Sequence, residues 1–268
     1  ISGSVANSGS FDSIASGATA YARADRVDPP VHRITNGNPN GVPLPAEALP
    51  VDTSRPARTI GDGTPQSCTS AAVVGAVALG GVITFDCGPN PVTIEMAETA
   101  KVVNTSPVVV LDGGGKVTLS GGGQRRILYM NTCDPAQVWT TPHCDNQDHP
   151  QLTIQNLAFT AGNSTGERID GGGGGAVFVR GGRVKVIDSL FTNNVCDPTG
   201  PDVGGAALRV LSQYNDLPVI VASSTFGGSA ATANRCSNGA ALSSIGVSWR
   251  VYNSVLTHNH AVGVGANP

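Results

Sequence analysis

The second half of the chain repeats itself, and this repeat restricts the possible folds more than any other feature. Four segments align on one apolar residue, at intervals of 32, 35 and 30 residues. The aligned residues are Phe159, Phe191, Phe226 and Leu256. A second motif, GGA at 174–176 and 204–206 and NGA at 238–240, recurs at intervals of 30 and 34 residues. Two independent sets of positions with similar intervals predict a stack of similar structural units.

Strand alternation gives each position of the repeat a direction. Seven and five residues before the aligned position, every segment has an apolar residue, which we expect to point into a core. The residues six before it are mixed, and we expect them to point outward. This outward column consists of Thr153, Lys185, Ile220 and Arg250. A third column, typical of a polar ladder at a bend, consists of Asn156, Asp188, Ser223 and Asn253.

A repeat of about 30 residues with short strands and no helix is typical of a coil of parallel strands. Successive turns of such a coil lie about 4.8 Å apart, so like residues stack on like residues. Further strands are predicted at 82–85, 92–94, 108–111, 116–119 and 126–129, with triple-glycine turns at 113–115 and 121–123. No helical period of useful length follows Leu79, which argues against βαβ units.

One short helix is predicted before the strands, over residues 71–79. Thr69 or Ser70 can cap its first turn, and Gly80-Gly81 ends it. The helix is apolar and directly precedes the first strand, so we expect it to close one open end of the strand stack. Residues 1–58 have turn-forming sequences without a sustained apolar period, and they predict an extended arm, a linker or a pro-segment.

Composition excludes several classes of protein. Charged residues make up 13% of the chain and apolar residues 40%, which argues against wholesale disorder. A net charge of −3 gives no reason to expect nucleic acid as a partner. The sequence has no apolar run of about 18 residues, so we expect no transmembrane segment.

Six cysteines fall in sequence as three neighbouring pairs in a chain rich in glycine and asparagine. This arrangement favours an oxidised, secreted protein with bridges between neighbours, although other connectivities remain possible. The expected bridges are Cys68–Cys87, Cys133–Cys144 and Cys196–Cys236. A metal site is the alternative, because two histidines and two aspartates surround Cys144, but their spacing differs from that of the usual zinc motifs.

These features resemble bacterial secreted right-handed parallel β-helix proteins, the broad pectate-lyase-like group. Within that group the chain is similar to the cysteine-containing, GGA-repeat type related to polymorphic outer-membrane proteins. The matching sequences are GDGTPQSCTSAAVVGAVALGGVITFDC at 61–87, VVVLDGGGKVTLSGGG at 108–123 and the GGA and NSxF-like turns of 151–260. The resemblance implies an all-β fold, a single-stranded right-handed parallel β-helix over 59–268 with an N-terminal capping α-helix. It does not imply one function, because the group includes lyases, hydrolases and adhesins.

Four residues are candidates for catalysis. A lyase of this kind needs a base near carboxylates, often with Ca²⁺, and Lys185 and Arg250 are basic residues of the outward column. That column contains no acidic residue, so the lyase pattern is incomplete. A hydrolase needs two carboxylates at a defined separation, and Glu167 and Asp170 lie in one loop. A solvated loop is the alternative interpretation of that pair.

His258 and His260 are candidate metal ligands, because residues i and i+2 of a strand point to one side. Surface polarity is the alternative for these histidines, and no cofactor is expected except calcium in a lyase. The sequence stops at Pro268, soon after a complete repeat, so we expect the strand stack to be incomplete at that end. Further chain or a neighbouring subunit would then complete it.

The expected function is that of a secreted or cell-surface structural or adhesive protein that presents an extended face to glycans or partner proteins. The alternative is a polysaccharide-active enzyme, either a pectate-lyase-like lyase or a glycoside hydrolase. A carboxylate cluster together with a basic residue in one surface groove would favour the enzyme.

Overall fold

A computed structural model describes residues 36–263 of the chain. One α-helix, α1 (Ser70–Leu79), and eighteen β-strands lie within these residues. The strands are β1 (Arg58–Ile60), β2 (Gly81–Phe85), β3 (Val92–Glu95), β4 (Ala100–Lys101), β5 (Val108–Ser120), β6 (Leu128–Asn131), β7 (Gln151–Thr160), β8 (Val177–Arg180), β9 (Arg183–Ile187), β10 (Leu190–Thr192), β11 (Leu208–Leu211), β12 (Val219–Ala222), β13 (Thr225–Gly227), β14 (Arg235–Cys236), β15 (Leu242–Ile245), β16 (Trp249–Tyr252), β17 (Val255–Thr257) and β18 (His260–Ala261).

The strands pair in parallel and form three main stacks. The first stack contains β1, β2, the first half of β5, the first half of β7, β9, β12 and β16. The second stack contains β3, the second halves of β5 and β7, β10, β13 and β17. The third stack contains β4, β6, β8, β11 and β15, and β14 pairs separately with β18. This topology is β-rich and is compatible with a parallel β-helix.

The predicted register is confirmed at the aligned position of the repeat. Phe159 pairs with Phe191, Phe191 with Phe226, and Phe226 with Leu256. The three phenylalanine rings are fully buried and stack with centroids 5.0 and 4.7 Å apart. The alanines of the GGA and NGA motifs are buried as well, and Ala176 N–H donates to the carbonyl of Ala206. Like residues therefore occupy the same place in successive repeats.

The strand β5 differs from the prediction of two strands separated by a glycine turn. It is continuous over thirteen residues, with an irregularity in its pairing with β7 between Asp112 and Val117. Gly114 and Gly115 adopt left-handed backbone angles there. The glycines thus allow β5 to pass from the first stack to the second without leaving the sheet.

The predicted helix is confirmed. The Thr69 side chain accepts a hydrogen bond from the Ala72 N–H, and Gly80, with φ of 65°, ends the helix. Val73 and Val77 are fully buried in the core that the three stacks enclose.

The polar column is also confirmed as a bend between the first and second stacks. Its four residues have φ between 45° and 50°, a conformation that short polar side chains tolerate better than bulky ones. Residues 36–57 lie along the outer side of this bend. Asn253 bonds both the N–H and the carbonyl of Val42, and Gln155 does the same with Val51. Residues 1–35 of the predicted arm lie outside the described residues.

The three expected disulfides are present, between Cys68 and Cys87, Cys133 and Cys144, and Cys196 and Cys236. Three bridges favour an oxidising, extracellular environment. Among the described residues, no helix combines the length and apolar character needed to cross a membrane.

Among the described residues, the core is partly exposed at β16 and β17. Val251 and Leu256 occupy inward columns, yet they are 44% and 43% exposed, whereas Val221 and Phe226 one repeat earlier are fully buried. The last described repeat therefore has an uncovered apolar surface. Its completion by a second chain or a neighbouring subunit stays a prediction.

Candidate functional site

A groove runs over the outer side of the first stack, beside residues 42–53. These residues are part of the predicted extended arm, and from here on the word arm refers to them alone. The volume of the groove is about 360 Å³. Its lining residues are Glu47, Gln151, Leu152, Thr153, Arg183, Val184, Lys185, Leu217, Pro218, Ile220 and Arg250. Both basic residues of the predicted outward column therefore lie in one groove.

Strand register fixes the separation of these basic residues. Lys185 on β9 pairs with Ile220 on β12, and Ile220 pairs with Arg250 on β16. Two strand spacings place their backbones about 10 Å apart. Ile220 between them and Leu217 at the edge give the groove an aliphatic floor.

The arm brings a carboxylate into the groove. Glu47 lies in the 3-10 turn Ala46–Ala48, and Ala48 is buried against Ile187 and Ala222. Arg250 Nη1 donates to both carboxylate oxygens of Glu47, at 2.7 and 2.8 Å, and the Tyr252 hydroxyl donates at 3.1 Å. The hydrogen bond from Arg250 holds the pKa of Glu47 below its ordinary value.

Lys185 has a different environment. Its Nζ donates to the carbonyl of Leu49 in the arm at 3.0 Å. Among the described residues, no carboxylate lies within ion-pair distance of this ammonium group. Partial burial lowers the pKa of Lys185, because desolvation disfavours the charged form. Within residues 36–263, the groove thus holds a cation without an acidic partner.

Arg183 forms the other end of the cationic lining. It makes an ion pair with Asp148, and its guanidinium lies 5.7 Å from the centre of the Tyr214 ring. These contacts hold Arg183 at the edge of the groove, and they neutralise much of its charge.

The candidate acids Glu167 and Asp170 lie elsewhere, over the outer side of the third stack. Asp170 makes an ion pair with Arg180 and accepts a hydrogen bond from Asn131 at 2.9 Å. Glu167 lies 3.9 Å from the guanidinium of Arg126. The structure therefore gives each acid a basic partner and does not bring either of them to the groove of Lys185. Their catalytic roles stay predictions.

The histidines His258 and His260 do not share one strand. His258 follows β17 in a left-handed turn, with φ of 56°, and His260 begins β18. In the described part of the chain, the one grouping of three metal-ligand side chains is Cys133, Cys144 and Asp145. The two cysteines of that grouping are joined in a disulfide, so their sulfur atoms are not free thiolates.

Sequence reasoning missed Glu47 because the arm has no period from which its position could be inferred. It also missed a set of arginines over the third stack. Alternation counted from the GGA motif does not find Arg209, because its partner Phe178 lies two residues after Ala176 whereas Arg209 lies three after Ala206.

Comparisons with protein-family models, with curated proteins and with solved structures found no match to this chain. The function therefore has to be argued from the groove itself.

Proposed function

We propose that this protein is a secreted or cell-surface β-helix protein that binds an acidic polysaccharide in the groove over the first stack, in a structural or adhesive role. The observation that carries the proposal is Lys185, a groove cation without a carboxylate partner among the described residues. We further propose that the three stacks form a single-stranded right-handed parallel β-helix of the pectate-lyase-like type, capped by α1.

The groove suits a carboxylated sugar chain for two chemical reasons. A sugar ring has aliphatic faces, and Leu217, Pro218 and Ile220 provide an apolar surface for them. A sugar carboxylate requires a cation, and Lys185 provides one that has no carboxylate partner among the described residues. A carboxylate cluster would favour the enzyme, and the groove lining contains a single acid, Glu47, which is paired with Arg250.

The secreted location rests on the three disulfides, because such bridges persist in oxidising compartments. The proposed β-helix rests on the parallel pairing of the stacks and on the phenylalanine column.

The test measures binding of polygalacturonate by calorimetry, with neutral dextran as the control polymer. We expect Lys185→Gln to weaken polygalacturonate binding by about 10-fold or more, since a hydrogen bond to a charged group contributes about 1.5–3 kcal/mol. Lys101→Gln removes the same charge from an exposed residue of β4 outside the groove, and should leave binding unchanged. Equal effects of the two substitutions would show that binding, if any, depends on net charge and not on the groove.

A second candidate function is eliminative cleavage of the same polymer, and the position of Lys185 in the groove without a carboxylate partner among the described residues favours it. In its neutral form a lysine can remove the proton next to a carboxylate; the bond to the leaving oxygen then breaks, a carbon–carbon double bond forms, and the leaving oxygen takes a proton from water. The new double bond absorbs ultraviolet light, so incubation of polygalacturonate with the protein, with and without calcium, tests this activity. Binding without any rise in absorbance would leave the structural role as the function.

A further inference from the structure

Three arginines lie over the outer side of the third stack, and they differ in which groups accept hydrogen bonds from one edge of the guanidinium. This edge carries Nε and Nη2, whose N–H groups point in parallel and match the two oxygens of a carboxylate. The arginines are Arg126, Arg180 and Arg209. They lie beneath or beside a loop at 164–174 that crosses this side of the stack.

Two of the three edges are filled by acceptors. Arg126 donates from Nε to the carbonyl of Gly174 and from Nη2 to that of Gly173, at 2.9 and 2.8 Å. Arg180 donates from Nε and Nη2 to the two carboxylate oxygens of Asp145, at 2.7 and 3.2 Å. The chain therefore supplies a matched acceptor to each of these edges.

The third edge is empty. Arg209 is 1% exposed, and its Nη1 donates to the Ser243 hydroxyl at 3.2 Å. Its Nε and Nη2 are both buried and have no hydrogen-bond partner among the described residues. Leaving a buried charge without acceptors costs several kcal/mol, because the group has lost its water without gaining a replacement. These two donors are therefore free to bind the two oxygens of an oxyanion.

We propose that the Nε–Nη2 edge of Arg209 binds the carboxylate of an exogenous acidic ligand, and that the segment 165–172 opens to admit it. This site is separate from the groove, since Arg209 lies on β11 of the third stack and Lys185 on β9 of the first.

The covering segment is held by contacts that can break. Arg168 pairs with Asp197, and Arg168 itself is 71% exposed, so solvent weakens this pair. Glu167 is half exposed and lies 3.9 Å from Arg126. Asp170 holds the segment to Arg180 and is its strongest anchor, because it also accepts from Asn131.

Glycines provide the hinge for this opening. Gly171 and Gly172 have φ of 79° and 76°, a region that other residues enter at a cost. A Cβ atom on Gly171 would lie 3.4 Å from Arg209 Nη2, so the absence of a side chain leaves room beside the empty edge. Gly173 and Gly174 stay bonded to Arg126, which places the hinge on their N-terminal side.

The ligand is a carboxylate because the equivalent edge of Arg180 already binds one on the same side of the stack. Burial lowers the pKa of Arg209, and the nearby charges of Asp202 and Asp170 only partly oppose this lowering. Neither carboxylate accepts a hydrogen bond from the Nε–Nη2 edge. Their negative charge disfavours ligands with more than one charge, such as phosphate.

The experiment uses the full chain carrying Lys185→Gln, which removes the groove cation, and galacturonate monomer as the probe. We expect galacturonate, but not neutral galactose, to bind this protein and to raise its unfolding temperature. Adding Arg209→Met should weaken galacturonate binding by about 10-fold and leave the ligand-free protein no less stable, because an unpartnered buried charge is removed. Asp170→Asn should strengthen binding several-fold, because it releases the segment 165–172.

The outcomes separate this site from the groove. Unchanged galacturonate binding after Arg209→Met would overturn the proposal, as would tighter binding of inorganic phosphate than of galacturonate. A large loss of ligand-free stability in Arg209→Met would mean that the chain or a water molecule fills the edge in solution, and would also overturn it. Arg209→Lys keeps the charge and loses the paired donors, so it should bind galacturonate as weakly as Arg209→Met. These results do not depend on the proposed function, because every protein in the experiment already lacks the groove cation Lys185. If polygalacturonate does not bind the groove, the galacturonate results still test the Arg209 site.

Discussion

At the scale of single residues, the stacked phenylalanine rings show how the sequence repeat stabilises the fold. Phe159, Phe191 and Phe226 are each fully buried, and their rings are within 5° of parallel. A buried aromatic side chain removes about 150–250 Å² from water, and stacking adds to this gain. The central ring, Phe191, contacts a ring on each side and so depends on both neighbouring repeats.

We expect Phe191→Ala to lower the free energy of unfolding by about 3–5 kcal/mol, because it leaves a cavity between two rings. Phe191→Leu should cost much less, since Leu256 occupies the same column one repeat beyond Phe226. Denaturant titration of both variants gives the two values. A loss under about 1 kcal/mol for Phe191→Ala would mean that the neighbouring side chains move to fill the space, so that no cavity remains.

The charge of Lys185 gives a pH dependence to ligand binding. Since burial lowers the pKa of Lys185 from its ordinary 10.5, the ammonium group loses its proton below that pH. Binding of polygalacturonate should therefore weaken as pH rises, with a midpoint below 10.5. Lys185→Arg should retain binding to higher pH, because the guanidinium stays protonated. Identical pH profiles for the two proteins would rule out Lys185 as the responsible group.

At the scale of elements, α1 packs Val73 and Val77 into the core, and its stability depends on its first turn. The Thr69 hydroxyl accepts from Ala72 N–H at 3.2 Å, and this bond satisfies one free donor of the helix. We expect Thr69→Ala to cost about 1 kcal/mol of stability, and Thr69→Ser to cost little because serine caps equally well. Urea unfolding measures both. Equal losses for alanine and serine would instead assign the effect to the threonine methyl group.

The inward columns of the strands could be predicted from the sequence, whereas the continuity of β5 and the position of Glu47 could not. The columns could be predicted because alternation and a repeat of about 30 residues act together, and only one register places Phe159, Phe191 and Phe226 inside. The continuous strand β5 could not, because Gly113–115 permit a turn and a bulge equally. Glu47 was beyond reach because its position depends on contacts between the arm and strands far away in sequence, such as β16.

At the scale of the whole molecule, the arm joins repeats that do not touch one another. Val42 bonds Asn253 of the last described repeat, Leu49 accepts from Lys185, and Thr53 donates to Asp112 at 2.7 Å. In a stacked repeat each unit otherwise contacts its immediate neighbours, so stability is a sum of local terms. The arm adds a connection along the stack, and it carries Glu47 into the groove. Attachment of the arm and completion of the groove are therefore one event.

This coupling makes the arm sensitive to acid. The pKa of Glu47 lies below its ordinary 4.5 in the folded protein, so its ion pair stabilises the docked arm above pH 4.5 and is lost as pH falls through the lowered value. We expect the amides of 42–53 to exchange hydrogen faster in acid, relative to the strands they cover, and Glu47→Gln to show that fast exchange at neutral pH. Hydrogen exchange followed by mass spectrometry measures both, with Glu98→Gln, an exposed residue away from the arm, as the control. If the arm of Glu47→Gln stays as protected as that of the control, then the apolar contact of Ala48 with Ile187 and Ala222 holds the arm without the ion pair, and the groove would keep its shape in acid.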